Sequence, residues 1–163
     1  MPTCAVIPGT YDPVTLGHID IISRTAQIFD RVVVGVAASP KKGSGPLFSL
    51  EQRVAFLEEA IAHLGNVTVQ PFRDLLVDFA VDQGAKTLVK GLRAVTDFDS
   101  EFQQASINYH LNPDLETLFF MSKPEHMFLS SSMVKEIASL GGNIESWVTP
   151  TVARALRAVY ASS

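Results

Sequence analysis

The sequence predicts a doubly wound α/β fold: a five-stranded parallel sheet flanked by helices on both faces. Three observations carry this. Short apolar runs alternate with segments of helical periodicity along the whole chain. Several runs are apolar at consecutive positions, as strands are when both faces of a sheet are covered. The strict strand–helix alternation then calls for right-handed crossovers between parallel strands.

The expected strands are residues 3–7, 32–38, 67–69, 87–89 and 117–121. After the first, Ile19, Ile22, Ala26 and Phe29 recur at spacings of 3, 4 and 3, one face of a helix. Leu50, Val54, Leu57, Ile61 and Leu64 form a second stripe, opened by Ser49 and Gln52 at capping-box spacing. Phe98, Phe102, Ala105 and Tyr109 form another, and Met133, Ile137 and Leu140 a further one that starts near Ser131. Gly141-Gly142 ends that helix, and Thr149-Pro150 opens the last as cap and first-turn proline. There is no repeat, low-complexity tract or linker, so a single domain over residues 1–163 is expected.

Composition narrows the function classes. Hydrophobic residues make up 47% of the chain and charged ones only 18%. Mean hydropathy is +0.20. That balance argues against disorder, and 13 Lys and Arg against 17 Asp and Glu argue against a nucleic-acid-coating surface. The low charge content hints at surface covered by another subunit. The most apolar stretch, residues 32–38, falls far short of the roughly 20 residues a membrane span needs. The N-terminus runs straight into a strand with no basic lead-in, so no signal peptide and a cytoplasmic location are expected, and Asn66-Val67-Thr68 is then an idle glycosylation triplet. Cys4 has no second cysteine to pair with and reads as a buried thiol.

Open parallel sheets place their chemistry where loops leave the carboxyl ends of the strands. Six of the 13 basic residues (Lys41, Lys42, Arg73, Lys90, Arg93 and Lys123) fall in or beside those exits. Such a rim suits a phosphate-bearing ligand, although any one lysine there serves equally as a solvated loop residue. The most informative segment follows the first strand: Pro8-Gly9-Thr10-Tyr11-Asp12-Pro13-Val14-Thr15-Leu16-Gly17-His18. Thr15 can cap the next helix, and Gly17 lets its first turn approach a ligand. His18 lies in that first turn, where free N–H groups and the positive dipole end point outward. Spacing alone leaves it either a helix-terminus residue or a donor to a phosphate oxygen. Three other matches fail. Gly43-Ser44-Gly45 is followed by no Gly-Lys-Ser/Thr, so it is no P-loop. Ser132-Met133-Val134-Lys135 lacks the Ser-Asp-Asn and Lys-Thr-Gly partners of the penicillin-interacting enzymes. His18, His63, His110 and His126 share no zinc-ligand spacing with carboxylates, and no metal-ligating residues are expected.

Taken together, Pro8-Gly9-Thr10-Tyr11-Asp12-Pro13, Thr15-x-Gly17-His18, Lys90-Gly91-Leu92-Arg93, and Ser130-Ser131-Ser132 followed by Lys135-Glu136 resemble the bacterial phosphopantetheine adenylyltransferases. These belong to the nucleotidyltransferase superfamily marked by (H/T)-x-G-H, with a Rossmann-like fold. The resemblance runs from about Cys4 to the last helix. It implies transfer of the adenylyl group of ATP to 4′-phosphopantetheine, giving dephospho-coenzyme A and pyrophosphate, by in-line attack without a covalent intermediate. It further implies Mg²⁺ accompanying ATP, feedback by coenzyme A, and a homohexamer.

The resemblance also implies roles. His18 donates to the α-phosphate. Gly9, Thr10, Tyr11 and Gly17 shape the nucleotide site, with Thr10 on the nucleophilic phosphate. Lys42 neutralises that phosphate beside Lys90. Gly91, Leu92, Arg93 and Glu101 line the nucleotide. His126, Met127, Phe128, Leu129, Ser130, Ser131 and Ser132 wrap ATP, and Asp74 and Leu76 meet the pantetheine arm. The residues depart from the family pattern in Lys90, where arginine is common, and in His126 and Met127 on the adenine side. On the residues alone, Lys41 could serve in place of Lys42, Leu76 reads equally as a core leucine, and Ser130 and Ser131 as plain helix caps. A transferase for another phosphorylated acceptor, such as nicotinamide mononucleotide or glycerol phosphate, and a non-catalytic nucleotide sensor are the rival readings.

Overall fold

A computed structural model describes residues 2–38 and 45–162. Five strands, β1 (Cys4–Gly9), β2 (Arg31–Ala37), β3 (Val67–Phe72), β4 (Thr87–Leu92) and β5 (Glu116–Met121), form one parallel sheet in the order β3-β2-β1-β4-β5. The connecting helices are α1 (Leu16–Ala26), α2 (Leu50–Ala60), α3 (Leu76–Asp82) and α4 (Val95–Leu111), with α5 (Ser131–Ser139) and α6 (Pro150–Ala161) after the last strand. The strand order reverses between β1 and β4. Their carboxyl ends diverge there and open the crevice in which such sheets bind ligands.

Alternation along the central strands builds two cores. Ala5, Ile7, Val32, Val34 and Val36 face one side, where α1, α2, α5 and α6 contribute Ile21, Ile22, Phe56, Leu57, Val134, Val152 and Leu156. Val6 and Val33 face the other, where α3 supplies Val77, Phe79 and Ala80. Gly35 on β2 lets α3 sit close. A Cβ there would come within 2.8 Å of the Phe79 ring, which stacks on Phe72 at 4.7 Å.

Three expectations need correction. The strands β3 and β4 run about three residues further than the apolar pattern suggests, through Gln70-Pro71-Phe72 and Lys90-Gly91-Leu92. Polar and strand-breaking residues ended the pattern there, yet β3 is an edge strand, where a proline is tolerated. The stripe on α4 points outward: Phe98, Phe102 and Tyr109 are 42%, 57% and 55% exposed. Leu140 is likewise exposed, because α5 has already ended and Gly141 follows with φ +78°.

Candidate active site

A cleft of about 510 Å³ opens at the β1/β4 crevice. Its floor is the β1–α1 loop. Tyr11 takes a left-handed φ of 51°, unusual for a non-glycine residue, and is held there by a hydroxyl that donates to the Ile7 carbonyl at 3.1 Å. The Tyr11 side chain is buried, which raises its phenol pKa by desolvation. Gly9 has no substitute here, since a Cβ would meet the Tyr11 ring at 2.9 Å.

The Thr15–His18 spacing turns out to be a helix cap. The Thr15 hydroxyl accepts from the His18 N–H at 3.3 Å, and His18 Nδ1 accepts from the Thr15 N–H at 2.9 Å. This is a capping box with histidine where Glu or Gln usually returns the bond. Because Nδ1 accepts a backbone N–H, the ring proton must sit on Nε2. Edge contact with the Tyr11 ring, 4.9 Å between centroids, fixes the imidazole plane further. Desolvation, with the Arg93 charge second, pushes the His18 pKa down to about 4. The side chain is therefore neutral at pH 7 and presents one oriented N–H donor.

Three cations line the cleft among the described residues, and each already has a carboxylate. Lys90 Nζ lies 3.0 Å from Glu101 Oε2, Arg93 Nε 3.1 Å from Asp97, and Lys135 Nζ 2.9 Å from Asp12. Arg93 also donates to the Leu129 carbonyl at 2.8 Å, tying β4 to the entrance of α5. Asp12, 5% exposed, accepts from the Leu47 and Phe48 N–H groups as well. Among the described residues, two of the basic rim positions expected from sequence stand apart from the cleft. Lys123 is paired with Asp20 at 3.1 Å and Arg73 is exposed, and neither lines the cleft.

On the far wall Ser130 caps α5 by accepting from the Met133 N–H at 3.1 Å, and the Ser131 hydroxyl donates to the Pro13 carbonyl at 2.7 Å. Ser132 is exposed in the first turn, and the α5 N-terminus presents its N–H groups to the cleft. Among the described residues His126 Nδ1 is buried without a partner.

Of the residues singled out from sequence, Gly9, Thr10, Tyr11, Gly17, His18, Lys90, Gly91, Arg93, Glu101, His126, Leu129, Ser130, Ser131 and Ser132 meet in this one cleft. Five do not line it. Leu92 lies between lining neighbours, and Met127 and Phe128 are exposed, with the Phe128 ring turned onto Trp147 at 5.8 Å. Asp74 is exposed before α3, and Leu76 packs on the opposite face of the sheet. Lys42 and its neighbour Lys41 lie outside the described residues.

Two groups escaped the sequence reading. Lys135 was seen only as motif context, and its partner Asp12 lies 123 positions away. Arg53 reads as one more polar residue of a helix, yet it is 1% exposed and bonded to three backbone carbonyls, those of Phe48, Thr10 and Ala37. Only its placement between apolar Phe48 and Phe56, both buried, hinted at this.

The cytidylyltransferase-like family profile matches residues 6–137. A phosphopantetheine adenylyltransferase of Heliobacterium modesticaldum is 49% identical over 150 residues, covering 92% of this chain and 88% of that protein. Among solved structures, a protein assigned as a nicotinate-nucleotide adenylyltransferase from Vibrio parahaemolyticus superposes with a TM-score of 0.72 at 18% identity, covering 100% of this chain and 98% of its own. A bifunctional NMN adenylyltransferase/ADP ribose pyrophosphatase from Francisella tularensis gives 0.70 at 17% identity, covering 99% of this chain and 52% of its own. These two share the fold of this chain, and a shared fold does not by itself carry a shared reaction.

Proposed function

The chain belongs to the cytidylyltransferase-like family and, within it, to the phosphopantetheine adenylyltransferases; from that premise we propose how its cleft works. The protein transfers the adenylyl group of ATP to 4′-phosphopantetheine, forming dephospho-coenzyme A and pyrophosphate, a step of coenzyme A biosynthesis. The observation that carries the mechanism is the neutral His18 with its Nε2 proton aimed by the cap.

A phosphate monoester has a second pKa of about 6, so the nucleophile is ionised at neutral pH and no general base is needed. Catalysis then consists of aligning two repelling anions and stabilising charge on the α-phosphorus. His18 donates to the α-phosphate, and being neutral it keeps that donor without being drawn into an ion pair elsewhere. Thr10, Lys90 and Lys42 hold the acceptor phosphate. Arg93, Gly91, Leu92 and Glu101 line the nucleotide. His126 and residues 129–132 wrap the nucleotide, with the serines and the α5 N-terminus toward the leaving phosphates. A phosphate arriving beside Lys90, Arg93 or Lys135 competes with Glu101, Asp97 or Asp12, so the carboxylates pre-order these cations at a modest electrostatic cost. Asp74 and Leu76 are reached only by a pantetheine arm that extends beyond the cleft.

Mg²⁺ belongs to this reading as a companion of ATP. Asp12, Asp97 and Glu101 are all engaged by cations, so the cleft residues suit an ion held by phosphates and water rather than a protein cage. When bound, the ion neutralises phosphate charge. Assembly as a homohexamer is supported by the exposed apolar stripe of α4. Feedback by coenzyme A follows from its chemistry, since it carries both the adenylate and the pantetheine arm of the product. A cytoplasmic location completes the reading; no described helix is long and apolar enough to cross a membrane.

The test is pyrophosphate release from ATP with 4′-phosphopantetheine, nicotinamide mononucleotide and glycerol phosphate in parallel. Release with the first alone is expected. Release only with another acceptor would overturn the substrate assignment, and none with any acceptor would favour a sensor.

A further inference from the structure

Arg53, in the first turn of α2, is the largest fully buried side chain among the described residues. Its guanidinium stays charged at any relevant pH, so burial requires satisfied donors. Nη1 donates to the Thr10 and Ala37 carbonyls, both at 2.9 Å, and Nε to the Phe48 carbonyl at 3.2 Å. Those three carbonyls belong to the β1–α1 loop, the last residue of β2, and the entrance of α2. One planar side chain therefore joins three backbone segments around the cleft floor.

Stability of the fold alone does not call for this. Well-packed apolar residues usually serve a core at least as well as a buried charge does. The same junction is tied a second time, by Asp12 accepting from the Leu47 and Phe48 N–H groups. Between these ties sits Thr10, followed by Tyr11 in its left-handed conformation. A peptide held at its carbonyl and followed by a fixed φ has little freedom to turn, and the direction of the Thr10 side chain is set with it.

We propose that Arg53 is a positioning residue for adenylyl transfer: by holding the Thr10 backbone it directs the Thr10 hydroxyl at the acceptor phosphate. This rests on the assignment of Thr10 to that phosphate. Among the described residues, the β4 and α5 parts of the nucleotide site receive no hydrogen bond from Arg53.

The test is a double-mutant cycle between Arg53 and Thr10. Arg53→Lys keeps the charge and loses the fork. The expected result is a KM for 4′-phosphopantetheine raised about tenfold, with the KM for ATP changed less than about twofold. In a Thr10→Val background, which lacks the hydroxyl, Arg53→Lys should add less than about a twofold further rise. Equal effects of Arg53→Lys in both backgrounds, or matching rises in both KM values, would overturn the inference. Arg53→Gln, neutral and easier to bury, is carried through the same cycle. If neither variant folds, Arg53 has no role separable from the core and the inference falls. A Thr10→Val enzyme with unchanged acceptor KM also overturns it, while leaving the reaction standing. Wild-type protein silent toward 4′-phosphopantetheine would sink the reaction itself.

Discussion

Replacing His18 with alanine should abolish most turnover while leaving the fold and ATP binding largely intact. The magnitude follows from what the side chain does. Nδ1 is committed to the Thr15 N–H at 2.9 Å, so the imidazole has one donor left, Nε2–H, and its direction is set before substrate arrives. Loss of one such preorganised donor to charge developing in a transition state costs about 10²–10³ in kcat. Binding should suffer much less, because the α5 N-terminus, Arg93 and the backbone of β4 remain. A change in the KM for ATP below about threefold is expected. The fold loses one arm of a capping box, worth about 0.5–1 kcal/mol, since the freed Thr15 N–H lies beside an open cleft and can take a water. For a chain of this size that lowers Tm by about 1–4 °C. Coupled detection of pyrophosphate, alongside a melting curve, measures both. Turnover within about fivefold of wild type, in a folded variant, would refute the donor role.

The same geometry sets a titration. Followed by NMR in the free protein, the His18 ring should show no midpoint near 6.5 and should begin to protonate only toward about 4. Since the unfolded chain takes up that proton at higher pH than the folded one, His18 should lower stability as pH falls from about 6.5 toward 4, and an ordinary midpoint would contradict the cap-bound, desolvated ring. Gly9→Ala should cost about 1–3 kcal/mol and most activity, because the new methyl must displace the buried Tyr11 ring; a variant with wild-type melting and turnover would contradict the packing. Phe102→Glu, on the exposed stripe of α4, should lower the scattering mass of the assembly, and an unchanged mass would remove that face from the interface.

Much of the site was readable because its logic is local. Thr15 and His18 are three residues apart, the spacing of a cap and its return bond, and the loop before them is shaped by its own glycine and prolines. The sheet was readable for a similar reason, in that doubly covered strands such as β2 carry an unbroken apolar run. What escaped depends on distance along the chain or on direction. The Asp12–Lys135 pair joins residues that only the fold brings together. Arg53 is polar in a helix, and polarity in a sequence signals exposure unless its three carbonyl partners are known. The stripe of α4 was correctly periodic, but periodicity identifies an apolar face without saying whether the sheet or a neighbouring molecule covers it. The rim of cations looked free because pairing of Lys123 to Asp20 and of Lys90 to Glu101 is a tertiary property.

If the acceptor phosphate attacks the α-phosphorus of ATP directly in this cleft, no adenylyl group ever rests on the protein. A rapid-quench experiment with a radiolabel on that phosphorus tests it most directly. The label should appear in dephospho-coenzyme A only when 4′-phosphopantetheine is present, in amounts matching the pyrophosphate released, and never on the protein. Label bound covalently to the protein, or transferred only to a different acceptor, would rule out direct transfer to 4′-phosphopantetheine.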